Sequence, residues 1–443
     1  MPEIPQKADP TNPTARPGGQ IGLWAAMAIG IGGIVGAGIF SILGVVAQAA
    51  GSAMWLSFLI GGAVALFSTY SYAKLGVRYP SAGGAVEFLV KGFGDGVLSG
   101  GINLYMWLGY VIALALYAQG FVGYAMTFLP TPAPAWLPKG IGVGIILLFT
   151  GVNSLGARAL GGSETFIVAV KLVILAIFAG VGLCFIQSPY FSTSHWPSLP
   201  GIFFGAGVLF IGYEGFGLVA NTAEEMEDPR SLLPRALYFS VITVILIYLT
   251  VSVAVIGNLS LPGIAAAQDY ALAQAAKPFL GAWGFKLIAV GALFSTASAI
   301  NATLFGGANV SYMIARDGQL PRFFSRQLWH GSTEGLFITA ALVILFVLCF
   351  DLSGVAMMGS GAFLLIYSCV NAAHLRVTAE TGAKPWLVWL ALITCLAMFG
   401  VLCVYIYENQ KFALITMAAL LPLCFALEWA YRRWTGRTIR SRT

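Results

Sequence analysis

Two ionisable side chains lie deep in apolar sequence. Lys171 sits in T-F-I-V-A-V-K-L-V-I-L-A-I-F, and Glu214 sits in G-A-G-V-L-F-I-G-Y-E-G-F-G. A charge at membrane depth is costly and marks a functional position by default. A lysine there can load and release a proton, or it can stand as a static pin on the backbone carbonyls of another helix. Glu214 has three open roles: attracting an ammonium group, taking part in proton coupling, or facing water in a pathway.

Two runs of glycine stand out as well, and Glu214 lies within the second. Gly30–Phe40 reads G-I-G-G-I-V-G-A-G-I-F. Each glycine inside a helix costs about 0.8–1 kcal/mol relative to alanine. Gly32 and Gly36 suit a small-xxx-small packing face. The competing reading is a helix that unwinds near Gly36–Ala37–Gly38, with the freed N–H groups of the second half facing an anion such as a carboxylate. A break at mid-membrane is tolerated only where it lines a cavity. The second glycine run, Gly205–Gly217, decides between these readings. Two Gly-interrupted segments in corresponding positions are the mark of an inverted-repeat transporter, with its site between the two breaks.

Further polar groups fall at Leu293–Tyr312, which carries Ser295, Thr296, Ser298, Asn301 and Thr303. Interhelical hydrogen bonding explains most of them, with Ser295 or Ser298 placed to touch a ligand or coupling ion. Thr222–Arg235 is the most charged loop and reads as a solvated loop before a Pro-initiated helix, or as a gating ion-pair element. The six cysteines lie in apolar runs without a C-x-x-C spacing and read as small buried hydrophobes. His195, His330 and His374 fall at loops or helix ends and receive no role. No P-loop, G-x-S-x-G or H-E-x-x-H occurs, and the glycines do not form a dinucleotide fingerprint, so no enzyme, metal or cofactor is expected.

The elements that must hold these groups are membrane spans. Of 443 residues, 58% are hydrophobic and 9% charged, against about 25% charged in soluble chains. Apolar windows long enough for a hydrocarbon core of about 30 Å recur at 21–50, 53–77, 97–128, 139–156, 162–187, 200–224, 232–257, 280–314, 335–350, 354–373, 386–406 and 410–432. Twelve spans put both termini on one side. Eighteen of the 23 Lys and Arg residues fall on that side and four, Lys139, Lys277, Lys286 and Lys411, on the other. The positive-inside rule then makes both termini cytoplasmic. Residues 1–20 read as a disordered cytoplasmic tail with no cleavable signal, and 433–443 as a basic cytoplasmic tail suited to anionic lipid and not to nucleic acid. Between them lie a first repeat at 21–187, a second at 200–373, and two closing spans within 386–432. The stretch Asn258–Gly281 is expected to hold a short surface helix on the outside.

V-G-A-G-I-F at Val35–Phe40 resembles the carboxylate-binding G-[ST]-G-I-F signature of the amino acid–polyamine–organocation superfamily. Ala37 departs from it, which leaves backbone donors to do that work. F-I-G-Y-E-G-F-G resembles the second unwound segment, and the loop E-E-M-E-D-P-R-S-L-L-P-R-A is similar to the family's following loop. Lys74–Gly84, Ala275–Gly281, Asn301–Tyr312, Ala315–Phe324 and Ser332–Leu336 resemble, more narrowly, the prokaryotic proton-dependent, broad-specificity amino acid transporters, and the resemblance covers nearly the whole chain.

That resemblance implies an all-α integral membrane protein with twelve transmembrane helices in a LeuT-type 5+5 inverted repeat, its first and sixth helices broken. It implies proton-coupled transport of small L-amino acids by alternating access in a cell membrane, with protons as coupling ion and no other cofactor. Gly36, Ala37 and Gly38 would donate to the carboxylate. The carbonyls of Ile211 and Gly212, with Glu214, would receive the amine, and Ser295 would line the site. Lys171 matches the subgroup's fifth-helix lysine, and Gly32 the glycine whose carbonyl it approaches. The subgroup is usually apolar at the position of Glu214. A carboxylate there suits a cationic amino acid or polyamine, transported by exchange or coupling, as the alternative cargo. A sensor or scaffold without transport is the third reading, disfavoured because no extra soluble domain is present to receive a signal.

Overall fold

The structure, a computed structural model, describes residues 21–36, 38–81, 83–130, 132–155, 163–191, 196–316 and 334–436. The tail at 1–20, Ala37, His195, His330 and residues 437–443 lie outside the described residues. All described secondary structure is helical apart from one isolated bridge, Ile21 to Met226.

The chain opens with two half-helices, α1 (Leu23–Ile34) and α2 (Gly38–Ala50). A turn at Gly51 leads into α3 (Met54–Arg78). A nine-residue helix that the hydropathy pattern does not announce follows, α4 (Ala85–Phe93), too short to span and bracketed by Gly84 and Gly94 in positive φ. Then come α5 (Val97–Met126), α6 (Leu137–Ser154) and α7 (Ser163–Cys184). The second interrupted segment is α8 (Leu199–Val208), a 3-10 stretch Leu209–Tyr213 and α9 (Phe216–Asn221).

The long α10 (Pro229–Asn258) begins where its sequence dictates. Asp228 accepts the Arg230 N–H at 3.2 Å, and Pro229 fills the first helical position. After it come α11 (Leu261–Ala267) and α12 (Ala271–Arg316), which bends at Gly281. The chain closes with α13 (Glu334–Cys349), α14 (Leu352–Arg376), the single turn α15 (Thr378–Thr381), α16 (Pro385–Asn409) and α17 (Lys411–Thr435).

Among the described residues, ten helical stretches are long and apolar enough to cross a membrane; one of them, Leu23–Arg78, contains a turn, and α13 is apolar but shorter. Burial separates the helices into two kinds. The helices α5 and α14 are covered on nearly every side. By contrast α6, α7, α16 and α17 present Leu147, Val173, Ile393 and Leu423 outward. A helix that is apolar all round belongs in a core or against lipid, and here both cases occur in one molecule.

The segment between α10 and α12 does contain a short helix, and the half-buried turn that follows it packs inward on one side. The Gln268 backbone abuts Gly44 of α2, and Asp269 abuts Gly123 of α5. The cysteines also divide against expectation: Cys395 and Cys424 are buried, whereas Cys184 and Cys349 are exposed on outward faces. An apolar outer surface serves a thiol as well as a core does, so hydropathy alone does not separate the two.

Candidate functional site

The α1 helix stops as the Val35 N–H bonds back to Ile31 O at 2.8 Å, and the chain turns through Gly36 before α2 restarts at Gly38. The last carbonyls of a helix lack intrahelical donors. Three side chains from distant helices meet these carbonyls and that of the turn. Lys171 Nζ donates to Gly32 O at 2.8 Å, the Tyr248 hydroxyl lies 2.8 Å from Ile34 O, and Ser295 Oγ donates to Gly36 O. Lys171 is only 3% exposed. Its ammonium sits at the negative end of the α1 dipole, the favourable place for a cation. A Cβ on Gly32 would stand 2.7 Å from Val168, one turn before Lys171, so a glycine there lets α7 come within the lysine's reach.

The second interruption is longer. Past the 3-10 stretch, Glu214 is extended at φ −58 and ψ 151, and Gly215 takes φ +113. That dihedral favours glycine, and a Cβ at Gly215 would also stand 2.7 Å from the carbonyl carbon of Gly33. Ser360 of α14 holds the start of the interruption from both sides. Its hydroxyl donates to Val208 O at 2.6 Å and accepts the Ile211 N–H at 2.9 Å. Ile211 O takes the Glu214 N–H at 3.1 Å, and Gly212 O lies 2.9 Å from the Tyr248 hydroxyl.

Tyr248 therefore stands between the two interruptions. Its single proton serves Ile34 or Gly212 at one time. The interruptions touch elsewhere as well. A Cβ on Gly38 would lie 2.8 Å from Gly212 Cα, a backbone contact that no side-chain rotation relieves. At their far ends, Ile21 N donates to Glu225 O at 3.0 Å, tying the start of α1 to the loop after α9.

Glu214 is 5% exposed and accepts a long hydrogen bond from the Tyr117 hydroxyl at 3.4 Å. It lines a cavity of about 10 Å³, shared with Tyr72, Tyr110, Asn221 and Tyr367. That is room for about one water. None of Gly36, Gly38, Gly212 or Ser295 lines it. An aromatic wall backs it: Tyr72 and Phe216 have ring centroids 5.1 Å apart, and Phe216 and Tyr367 5.0 Å.

The structure thus gathers Gly36, Gly38, Gly212 and Ser295 at one seam, with the Lys171–Gly32 pair bordering it and Glu214 beside a separate cavity. Ala37 lies outside the described residues. Two expectations change in detail. The Ile211 and Gly212 carbonyls each already have a donor within the protein, which leaves one lone pair apiece for an incoming amine. Ser295 commits its proton to Gly36, so towards a ligand it can only accept. Of the other polar residues of α12, Asn301 accepts from Asn153 Nδ2 at 2.8 Å, and Thr296 bonds its own helix at Ala292 O, 2.7 Å away. His374 is buried against Thr381 Oγ1 at 2.9 Å.

Tyr248, Ser360 and Tyr117 escaped the reading of the sequence. A signal existed, because a buried tyrosine hydroxyl needs a partner and Tyr248 interrupts an otherwise aliphatic run. Nothing local says which carbonyl it meets. No group of His, Cys, Asp and Glu side chains among the described residues is suited to hold a metal ion.

The family model described as amino acid permease matches residues 21–425. The protein MJ0609 of Methanocaldococcus jannaschii is 40% identical over 95% of this chain and 97% of its own length. The inner membrane transport protein YbaT of Escherichia coli is 35% identical over 86% of this chain and 89% of its own. Cationic amino acid transporter 3, mitochondrial, of Arabidopsis thaliana is 30% identical over 79% of this chain and 61% of its own.

Proposed function

The chain belongs to the amino acid permease family, and from that premise we propose that it moves small L-amino acids across a cell membrane by proton-coupled alternating access. It is a multi-pass membrane transporter and not an enzyme. In this reading twelve spans form a LeuT-type 5+5 repeat, 21–187 followed by 200–373, with two further spans and both termini cytoplasmic. The N–H groups at the start of α2 hold the substrate carboxylate, helped by the positive end of the helix dipole. The free lone pairs of Ile211 and Gly212 hold the ammonium.

The observation that carries the coupling is the 2.8 Å bond from Lys171 Nζ to Gly32 O, made by a 3% exposed side chain. Protonated, the lysine braces α7 to the end of α1. Neutral, it loses the charge that the helix terminus attracts, and the brace weakens. Proton release is thereby tied to the freedom of α1 to move. The test is uptake of labelled alanine into proteoliposomes with and without an inward proton gradient. An acidic exterior should raise accumulation in the wild type, and indifference to the gradient would sink the proposal.

A second reading rests on Glu214. A buried carboxylate walled by tyrosines suits the cationic end of a substrate once its one-water cavity widens in the transport cycle, and relatives include proteins named as cationic amino acid transporters. A thermal-shift panel of neutral, cationic and anionic amino acids and polyamines separates the two. Stabilisation by arginine or a polyamine but not by alanine favours the second.

A further inference from the structure

A second and much larger cavity, of about 690 Å³, opens between the end of α3 and the start of α10, closed on a third side by Thr381 of α15. Lys74, Arg78 and Arg230 line it, with Asp228 as the acidic residue among its lining groups. Asp228 is committed to capping α10 through the Arg230 N–H. None of the three cations forms an ion pair with a described carboxylate. Lys74 spends one of its three protons on Gly382 O at 3.4 Å, and the Arg78 guanidinium lies over the Tyr79 ring at 5.5 Å. Three unpaired cations against one carboxylate leave the cavity net positive. It needs an anion of its own, with donors to spare for phosphate oxygens.

The surroundings name the anion's source. Tyr238 lines the cavity, and the residues one and two turns further along the same face of α10 are Ile242 and Leu246, 43% and 59% exposed. Four-residue spacing keeps them on one stripe. A cationic cavity therefore opens at the head of an outward apolar track on a membrane helix. From that juxtaposition we infer that the cavity between α3 and α10 holds the phosphate headgroup of an anionic glycerophospholipid, whose acyl chain lies along Ile242 and Leu246. A bound lipid would tie α3 and α10 to α15, which belongs to the connection between α14 and α16. The inference needs only a membrane-embedded chain and is independent of the cargo and of Lys171.

The test is native mass spectrometry of the full chain in neutral detergent, mixed with micellar phosphatidylglycerol or phosphatidylcholine. The wild type should retain phosphatidylglycerol preferentially. K74Q/R78Q/R230Q should lose that retention by roughly 100-fold, at about one factor of five per basic residue. If the triple variant fails to fold, the three single variants should each lose about that single factor. The control R376Q removes a cation that instead stacks on Phe93 at 5.1 Å, and it should retain the lipid as the wild type does. Equal retention by the cavity variants, or an equal loss in R376Q, overturns the inference. So does displacement of the lipid by millimolar inorganic phosphate as readily as by phosphatidylglycerol, which would make the cavity a soluble-anion site.

Discussion

The two interruptions solve the same problem differently. Each leaves backbone groups unpaired inside the membrane, where an unmet group costs several kcal/mol. At the first, short interruption the exposed groups are carbonyls at the end of α1 and in the turn after it, and donors from three separate helices meet them: Lys171, Tyr248 and Ser295. At the second, longer one a single serine, Ser360, answers a carbonyl and an N–H together, and the chain bonds itself through Glu214 N. The first therefore depends on the positions of α7, α10 and α12 and carries a cation. The second leans on α14 through Ser360 and on α10 through Tyr248, and carries an acid. An interruption whose hydrogen bonds come from many helices senses their movement. In the proposed function, coupling belongs to the first interruption and selectivity to the second.

Removing the cation tests this contrast most severely. Lys171→Ala should abolish gradient-driven alanine accumulation, a fall of at least about tenfold in initial rate, because about 1.4 kcal/mol of lost bracing already gives that factor. Retained acid-stimulated uptake would end the coupling argument. Next, Gly38→Val forces a side chain into Gly212 Cα. Movement is possible only by parting the two interruptions, so both uptake and melting temperature should drop, by about 1–3 kcal/mol of stability.

Tyr248→Phe removes the hydroxyl shared by both interruptions while keeping the ring packed. About 1–3 kcal/mol is expected, the cost of a buried carbonyl left unmet, read as a lower melting temperature together with weaker proton dependence. Glu214→Gln should leave proton-driven alanine uptake within about twofold. In the thermal-shift panel it should remove any stabilisation by cationic ligands, and loss of alanine uptake would move coupling to the second interruption. The smallest change is expected from Ser360→Ala, about 1 kcal/mol, visible in melting temperature with the proton dependence unchanged.

Much of this arrangement is legible along the chain. The glycine runs at 30–38 and 205–217 coincide with the ends of α1 and α8, because glycine is the residue whose helix cost is highest among non-prolines. Lys171 stands out by its depth alone. The short α4 is not legible, since nine residues between glycines give neither a span nor a clear period. The tight Gln268 turn is hidden for a different reason: its contacts, Gly44 and Gly123, are themselves glycines that signal nothing about their partner.

The sequence by itself determined that the chain is a set of apolar helices too numerous for a soluble core, where two of them stop short, and that one base and one acid stand at membrane depth. Those are properties of local composition, and each residue's transfer cost is felt wherever it lies. The resemblance already paired Lys171 with Gly32, but only the tertiary structure decided that Tyr248 stands between Ile34 and Gly212. It alone put Glu214 beside a tyrosine-walled cavity and away from the glycine seam. A hydrogen bond across more than a hundred residues exists only once two helices have packed at a fixed depth and rotation. Those are set by the sum of all their contacts and by no single motif.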